Sequence, residues 1–180
     1  MARIHFIYST MNAGKSTALL QTNFAYLEKG MRTVLFTSEK DNRYGNSEIV
    51  SRIGLKSKAE TFKNSDNLFD CVSKAHTKNA IDCVLIDEAQ FLTKDQVHQF
   101  GRVVDELDVT VIAYGIRTDF RGELFEGSRY LLAWADHLSE IRTVCHCGRK
   151  ATMIVRVDDK GEVVRRSEER RVGKECRSRW

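Results

Sequence analysis

The sequence predicts an α/β fold, with a mainly parallel sheet covered by helices and a small β appendage toward the C-terminus. Three observations carry this. Short β-branched apolar runs alternate with amphipathic helical patterns up to about residue 143. The junction between the first run and the first helical pattern reads Gly14-Lys15-Ser16, a phosphate-cradling signature in a strand–loop–helix setting. Beyond residue 143 the pattern changes to two close cysteines and a hairpin signal.

Residues 4–8, 34–37, 83–86 and 109–114 are apolar runs bounded by polar residues or glycine, so each is expected to be a buried strand. Thr17, Leu20, Phe24 and Leu27 recur at three- and four-residue spacing, as do Val97, Phe100, Val104 and Leu107, and both sets predict amphipathic helices. Thr93 and Gln96 form a capping-box pattern at the start of the second. Strands alternating with helices predict βαβ units. Residues 39–55 are polar, contain Gly45 and Gly54, and predict a long loop of the kind that often carries function. After the cysteines, residues 151–157, the turn Asp158-Asp159-Lys160-Gly161 and residues 162–164 predict a hairpin. Three units are expected: a nucleotide-binding core over 1–143, an appendage over 144–164 and a basic tail over 165–180.

The chain of 180 residues is one domain's worth, and its 42% hydrophobic and 30% charged residues are ordinary for a globular protein. No apolar run approaches the roughly 18 residues of a membrane helix, and no secretory signal pattern opens the chain. Five cysteines do not make a dense disulfide framework, so a cytoplasmic location is expected. Cys71 and Cys83 lie in apolar settings and are expected to be small buried hydrophobes. Of the 29 basic and 25 acidic side chains, seven and three lie in residues 165–180, so the net charge of +4 belongs to that segment alone. A charge-balanced remainder argues against a nucleic-acid-binding surface, and the tail reads as a solvated end.

The chemistry concentrates at Ser9-Thr10-Met11-Asn12-Ala13-Gly14-Lys15-Ser16. The segment departs from the P-loop pattern only in having Ser9 where the first glycine stands. Gly14 permits a tight turn, amides at a helix start face an anion, Lys15 reaches β- and γ-phosphates, and Ser16 offers a hydroxyl to Mg²⁺. A second element, Cys83-Val84-Leu85-Ile86-Asp87-Glu88, is an apolar strand ending in two carboxylates. Asp87 suits the magnesium shell and Glu88 suits a base toward a nucleophile.

Those two motifs, with Asp87-Glu88-Ala89-Gln90-Phe91 and Tyr114-Gly115-Ile116-Arg117-Thr118-Asp119-Phe120-Arg121-Gly122-Glu123-Leu124-Phe125, resemble the type II, bacterial-like thymidine kinase family over residues 2–162. The resemblance implies a RecA-like P-loop core, phosphoryl transfer from ATP with Mg²⁺ to the 5′-hydroxyl of thymidine or deoxyuridine in nucleoside salvage, a homotetramer, and no nucleic-acid or membrane partner. It assigns residues 9–16 with Asp87, Glu88, Ala89 and Gln90 to ATP, Glu88 to the catalytic base, and Met11, Phe91, Ile116, Phe120 and Phe125 to the thymine pocket. Arg43 matches a loop arginine facing the phosphates. Cys145 and Cys147 resemble half of a structural Zn²⁺ site, whose other ligands the downstream sequence does not supply, since only Cys176 follows. Residues 165–180 have no apolar periodicity and do not resemble the family, so the expectation is a truncated kinase with a foreign tail. Two other readings share part of the pattern. A RecA-type nucleic-acid-dependent ATPase would carry a basic, aromatic groove, and a non-catalytic nucleotide binder has no use for Glu88.

Overall fold

A computed structural model describes residues 1–41, 47–145, 148–157 and 163–164. In chain order it contains β1 (Ile4–Ser9), α1 (Lys15–Glu28), β2 (Thr33–Ser38), β3 (Glu48–Val50), β4 (Lys56–Lys58), β5 (Glu60–Phe62), α2 (Leu68–Lys78) and β6 (Cys83–Ile86). A 3-10 turn (Ala89–Phe91) follows, then α3 (Lys94–Leu107), β7 (Thr110–Ile116), α4 (Glu126–Trp134), β8 (His137–Glu140), β9 (Arg156–Val157) and β10 (Val163–Val164). Six strands form one sheet in the order β5-β2-β6-β7-β1-β8, and every neighbouring pair is parallel. The expected α/β architecture is therefore present.

Both faces of this sheet are covered, and alternation along each strand sorts the side chains between them. Val84 and Ile86 of β6, Val111 and Ala113 of β7, and Phe6 of β1 join the layer packed by α2, α3 and α4. Cys83 and Leu85 of β6 and Tyr114 of β7 face the other way, toward Leu19 and Leu20 of α1. All four residues of β6 are buried, which makes it the strand with the least access to water.

The four expected strands are β1, β2, β6 and β7, and the two expected helices are α1 and α3. The Thr93–Gln96 capping box forms as predicted: Thr93 Oγ1 accepts from Gln96 N–H and Gln96 Oε1 accepts from Thr93 N–H, both at 3.2 Å. α1 departs from its predicted face. Lys15, Leu19, Leu20 and Asn23 are buried, whereas Phe24 and Leu27 are 60% and 53% exposed. The helix is rotated so that Lys15 faces the loop before it, and the four-residue spacing carries that inward face through Leu19 to Asn23. Asn23 is held there by Thr33 Oγ1, which donates to its Oδ1 at 2.5 Å. Cys83 is buried as expected, but Cys71 is exposed on α2.

Several short elements carry no periodic signal. β8 is exposed along its whole length, and β5 buries only Phe62. The polar segment read as a long loop contains β3, which pairs antiparallel with β4. At the C-terminal end β9 pairs antiparallel with β10, Val157 opposite Val163. That agrees with the expected hairpin, whose connecting residues lie outside the described ones.

α4 is seated on the 3-10 turn through Gly127. A Cβ built there would lie 2.4 Å from Ala89 O, 2.9 Å from Leu92 O and 3.0 Å from Gln90 O. These are backbone atoms that cannot swing aside. Gly127→Ala should therefore destabilise the protein by about 1–3 kcal/mol through overpacking. Urea denaturation measures this, and a change below about 0.5 kcal/mol would mean that α4 does not need this close approach.

Candidate active site

β1 ends at Ser9, and the chain turns through residues 10–14 before α1 opens at Lys15. The turn requires left-handed backbone at Asn12 (φ 62°) and Gly14 (φ 80°). Glycine adopts this without steric cost, and asparagine is among the residues that tolerate it. Lys15 is buried and folds back over the loop, where Nζ donates to Thr10 O at 2.7 Å and Ser9 Oγ at 3.2 Å. Ser9 Oγ itself donates to Thr10 O at 2.9 Å. The serine in place of the first P-loop glycine thus has a partner for its hydroxyl. Thr10 Oγ1 is buried with no hydrogen-bond partner, an orphaned polar atom inside the loop.

The structure brings Ser16 and Asp87 together. Ser16 Oγ donates to Asp87 Oδ2 at 2.8 Å, joining the first turn of α1 to the end of β6. Asp87 N–H donates to Phe36 O at 2.8 Å, and its Oδ1 accepts from Glu88 N–H at 3.0 Å. Asp87 is only 3% exposed. Burial, then the neighbouring Glu88 charge, push its carboxyl up to about 6, against the lowering effects of Ser16, the Glu88 amide and Lys15.

Glu88 is in the left-handed region (φ 52°, ψ 39°), unusual for a residue other than glycine and a frequent mark of functional sites. The two neighbouring carboxylates have different side-chain partners. Gln90 Nε2 donates to Glu88 Oε2, while Gln90 Oε1 accepts from Ile116 N–H at 3.1 Å. Ile116 O in turn accepts from Ser128 Oγ of α4 at 2.5 Å. The residues that the resemblance assigns to a base pocket cluster in part. Phe91 and Phe125 meet edge-to-face with ring centroids 6.0 Å apart, and Lys40 Nζ lies 5.6 Å from the Phe91 centroid. Phe120 is flanked by the guanidinium groups of Arg121 and Arg156 at 5.9 and 5.5 Å. Met11 is half-buried in the phosphate loop. The Thr118–Leu124 bridge closes the segment around Phe120, and Asp119 Oδ1 accepts from the amides of Arg121 and Glu123.

Residues to which the resemblance assigns no individual role join them. A small cavity beside the loop is lined by Tyr8, Thr10, Arg117, Glu140, Thr152 and Ile154, with the Arg117 guanidinium 5.5 Å from the Tyr8 ring. Thr152 and Ile154 belong to the appendage, which therefore reaches the phosphate loop. Arg117 lies just after the end of β7, within the Tyr114–Phe125 motif. Arg43 and Cys147 lie outside the described residues. Cys145 is buried, its carbonyl accepts from Gly148 N–H at 2.8 Å, and Gly148 has φ 77°. Among the described residues there is no group of three or more His, Cys, Asp or Glu that could hold a metal ion. Nor is any described helix long and apolar enough to cross a membrane.

The raised Asp87 value has a consequence for stability. Between the ordinary value of 3.8 and about 6 the folded protein keeps a proton that the unfolded chain has lost, so stability falls as pH rises through that window. Asp87→Asn removes the charge and keeps an acceptor for Ser16. Without nucleotide or Mg²⁺ it should stabilise the protein by about 1–3 kcal/mol at pH 7.5 and by little at pH 4. Urea midpoints at the two pH values test this, and an equal gain at both would show that the charge of Asp87 is not the cause.

Comparison with known proteins shows the family. The thymidine kinase family model matches residues 2–180 and so extends beyond the motifs. The thymidine kinase of Shewanella oneidensis is 53% identical over 173 residues, which are 96% of this chain and 90% of the relative. That of Photobacterium profundum is 54% identical over 96% of this chain and 90% of its own length. That of Escherichia coli strain K12 is 54% identical over 96% of this chain and 84% of its own. With the family model spanning the sheet, the phosphate loop and the paired carboxylates, the chain belongs to the thymidine kinase family.

Proposed function

We propose that this chain transfers the γ-phosphoryl group of ATP to the 5′-hydroxyl of thymidine, and of deoxyuridine, in pyrimidine deoxynucleoside salvage. One observation carries the reading. Asp87 and Glu88 are consecutive, yet one carboxylate bonds Ser16 beside the phosphate loop and the other bonds Gln90 on the side of Ile116. Donor and acceptor functions are thereby separated by one residue of left-handed backbone.

The residues fit Mg²⁺ and ATP. Ser16 and Asp87 would hold the cation, because a hydroxyl and a buried carboxylate already meet there and the charge of Asp87 is incompletely compensated. Mg²⁺ supplies neutralisation of the phosphate oxygens as charge develops. Lys15 exchanges its bonds to Thr10 O and Ser9 Oγ for phosphate oxygens, and the amides at the start of α1 present donors to the anion. Arg43 completes the positive surroundings in this reading. Glu88 accepts the proton of the attacking hydroxyl. Phe91 and Phe125, with Met11, Ile116 and Phe120, offer ring faces and apolar walls to a flat base. The appendage brings the Arg156 guanidinium to 5.5 Å from the Phe120 ring, beside the residues read as the base pocket. The same reading includes a homotetramer, a cytoplasmic location and a zinc knuckle at Cys145 and Cys147. The buried Cys145 and the bond from Gly148 N–H to its carbonyl support the knuckle, and no step depends on it.

ATP turnover with thymidine added, beside turnover with single-stranded DNA added, tests the class of reaction. Stimulation by thymidine with formation of the monophosphate is expected, and stimulation by DNA alone would overturn the reading. Glu88→Gln should lower kcat by about 10²–10⁴-fold with ATP affinity preserved. Near-normal kcat would remove Glu88 from the base role. Lys15→Ala should weaken ATP binding at least about tenfold by calorimetry, since it deletes a charge from the phosphate cradle. Unchanged binding would mean that residues 9–16 are only a turn.

A further inference from the structure

We propose that Gln90 is a positioning residue for the acceptor half of the reaction, holding the Glu88 carboxylate in register with the end of β7. This rests on the reading of Glu88 as the base, and it gives Gln90 a different task from the ATP contact that the resemblance assigns.

The side chain of Gln90 is 2% exposed, and both ends of its amide are engaged. The Ile116 N–H can only donate, so it selects the carbonyl oxygen of Gln90 and leaves the NH₂ group to face Glu88. The orientation of the amide is therefore determined by the backbone of β7, and with it the donor that Glu88 meets. Ile116 is fixed on its other side by Ser128 of α4. A chain of three hydrogen bonds thus runs from α4 through the end of β7 to the Glu88 carboxylate.

The packing around the amide is built for this contact. A Cβ at Gly115 would lie 3.0 Å from Gln90 Oε1 and 3.1 Å from Gln90 N, so glycine is what admits the amide against β7. Gly127 lets α4 close on the backbone carbonyl of Gln90, which fixes the turn that carries the amide. Glu88 has a backbone that does not hold its side chain by regular secondary structure, since it precedes the 3-10 turn in the left-handed region. An external tether is what such a carboxylate needs if it is to meet a hydroxyl at hydrogen-bond distance. Ile116 is one of the residues read as lining the base pocket, so the same amide links the base to the wall against which the nucleoside rests.

Gln90→Glu separates the two ends of the amide. It keeps an acceptor for Ile116 N–H and replaces the donor toward Glu88 by a carboxylate. If donation to Glu88 matters, kcat for thymidine should fall by about 10–100-fold, as expected for a misplaced catalytic group, while the calorimetric Kd for ATP stays within about threefold. In the Glu88→Gln background the same substitution should lower the residual kcat by less than about threefold, because the group it acts through is gone. Gln90→Met, of similar volume and uncharged, repeats both measurements if the Glu variant does not unfold cooperatively. Retention of kcat by Gln90→Glu, an equal fall in both backgrounds, or a loss confined to ATP affinity would each overturn the inference. A near-normal kcat for Glu88→Gln alone would instead overturn the base reading on which it rests.

Discussion

Asp87 leaves the end of β6 with 3% of its surface exposed, and its carboxylate accepts from Ser16 Oγ and from the Glu88 amide. A carboxylate in such a place is costly unless its lone pairs are satisfied. Its partners come from the first turn of α1 and from the next residue of its own chain, so satisfying it joins the phosphate loop to the central strand. The compensation is incomplete, as the upward push on its titration shows. The remaining deficit favours a cation at the point where the loop's donors converge. The rotation of α1 is consistent with the same need, since it places Lys15 inward while Ser16 meets Asp87.

A second constraint is the closeness of backbone to backbone on the other side of Glu88. The 3-10 turn is confined between β7 and α4, with Gly115 and Gly127 each leaving room that a methyl group would fill. The 3-10 turn thereby acts as a rigid platform. It carries Phe91 against Phe125 and presents the Gln90 amide to Ile116. The two functions proposed for Asp87 and Glu88 are separated because the one is tied to α1 and the other, through Gln90, to β7.

The appendage has a different character. Among the described residues it contributes short pairings, β9 with β10 and the Val144–Lys150 bridge, and no separate core cluster. Its described side chains are used against the main sheet: Thr152 and Ile154 beside the phosphate loop, and Arg156 over Phe120. Such a segment derives its order from what it touches, and small units of this size commonly need an added cross-link.

Strand–helix alternation, the Gly14-Lys15-Ser16 turn and the Thr93–Gln96 cap were legible because each depends on residues within a few positions of one another. β6 and β7 announced themselves by apolar runs that both faces of a covered sheet demand. β5 and β8 were silent because an edge strand with little buried area needs no apolar pattern. The face of α1 was misread because hydrophobic spacing placed Phe24 and Leu27 inward, whereas the demand for Lys15 and Ser16 at the loop sets the rotation. Local pattern therefore specified β1, β2, β6 and β7, the helices α1 and α3 but not α2 or α4, and the carboxylate pair at the strand end. The direction in which Glu88 turns, the engagement of the Gln90 amide with Ile116, and the approach of Arg117, Thr152 and Arg156 arose only on assembly. They depend on hydrogen bonds and contacts between residues far apart in the chain, which no periodicity encodes.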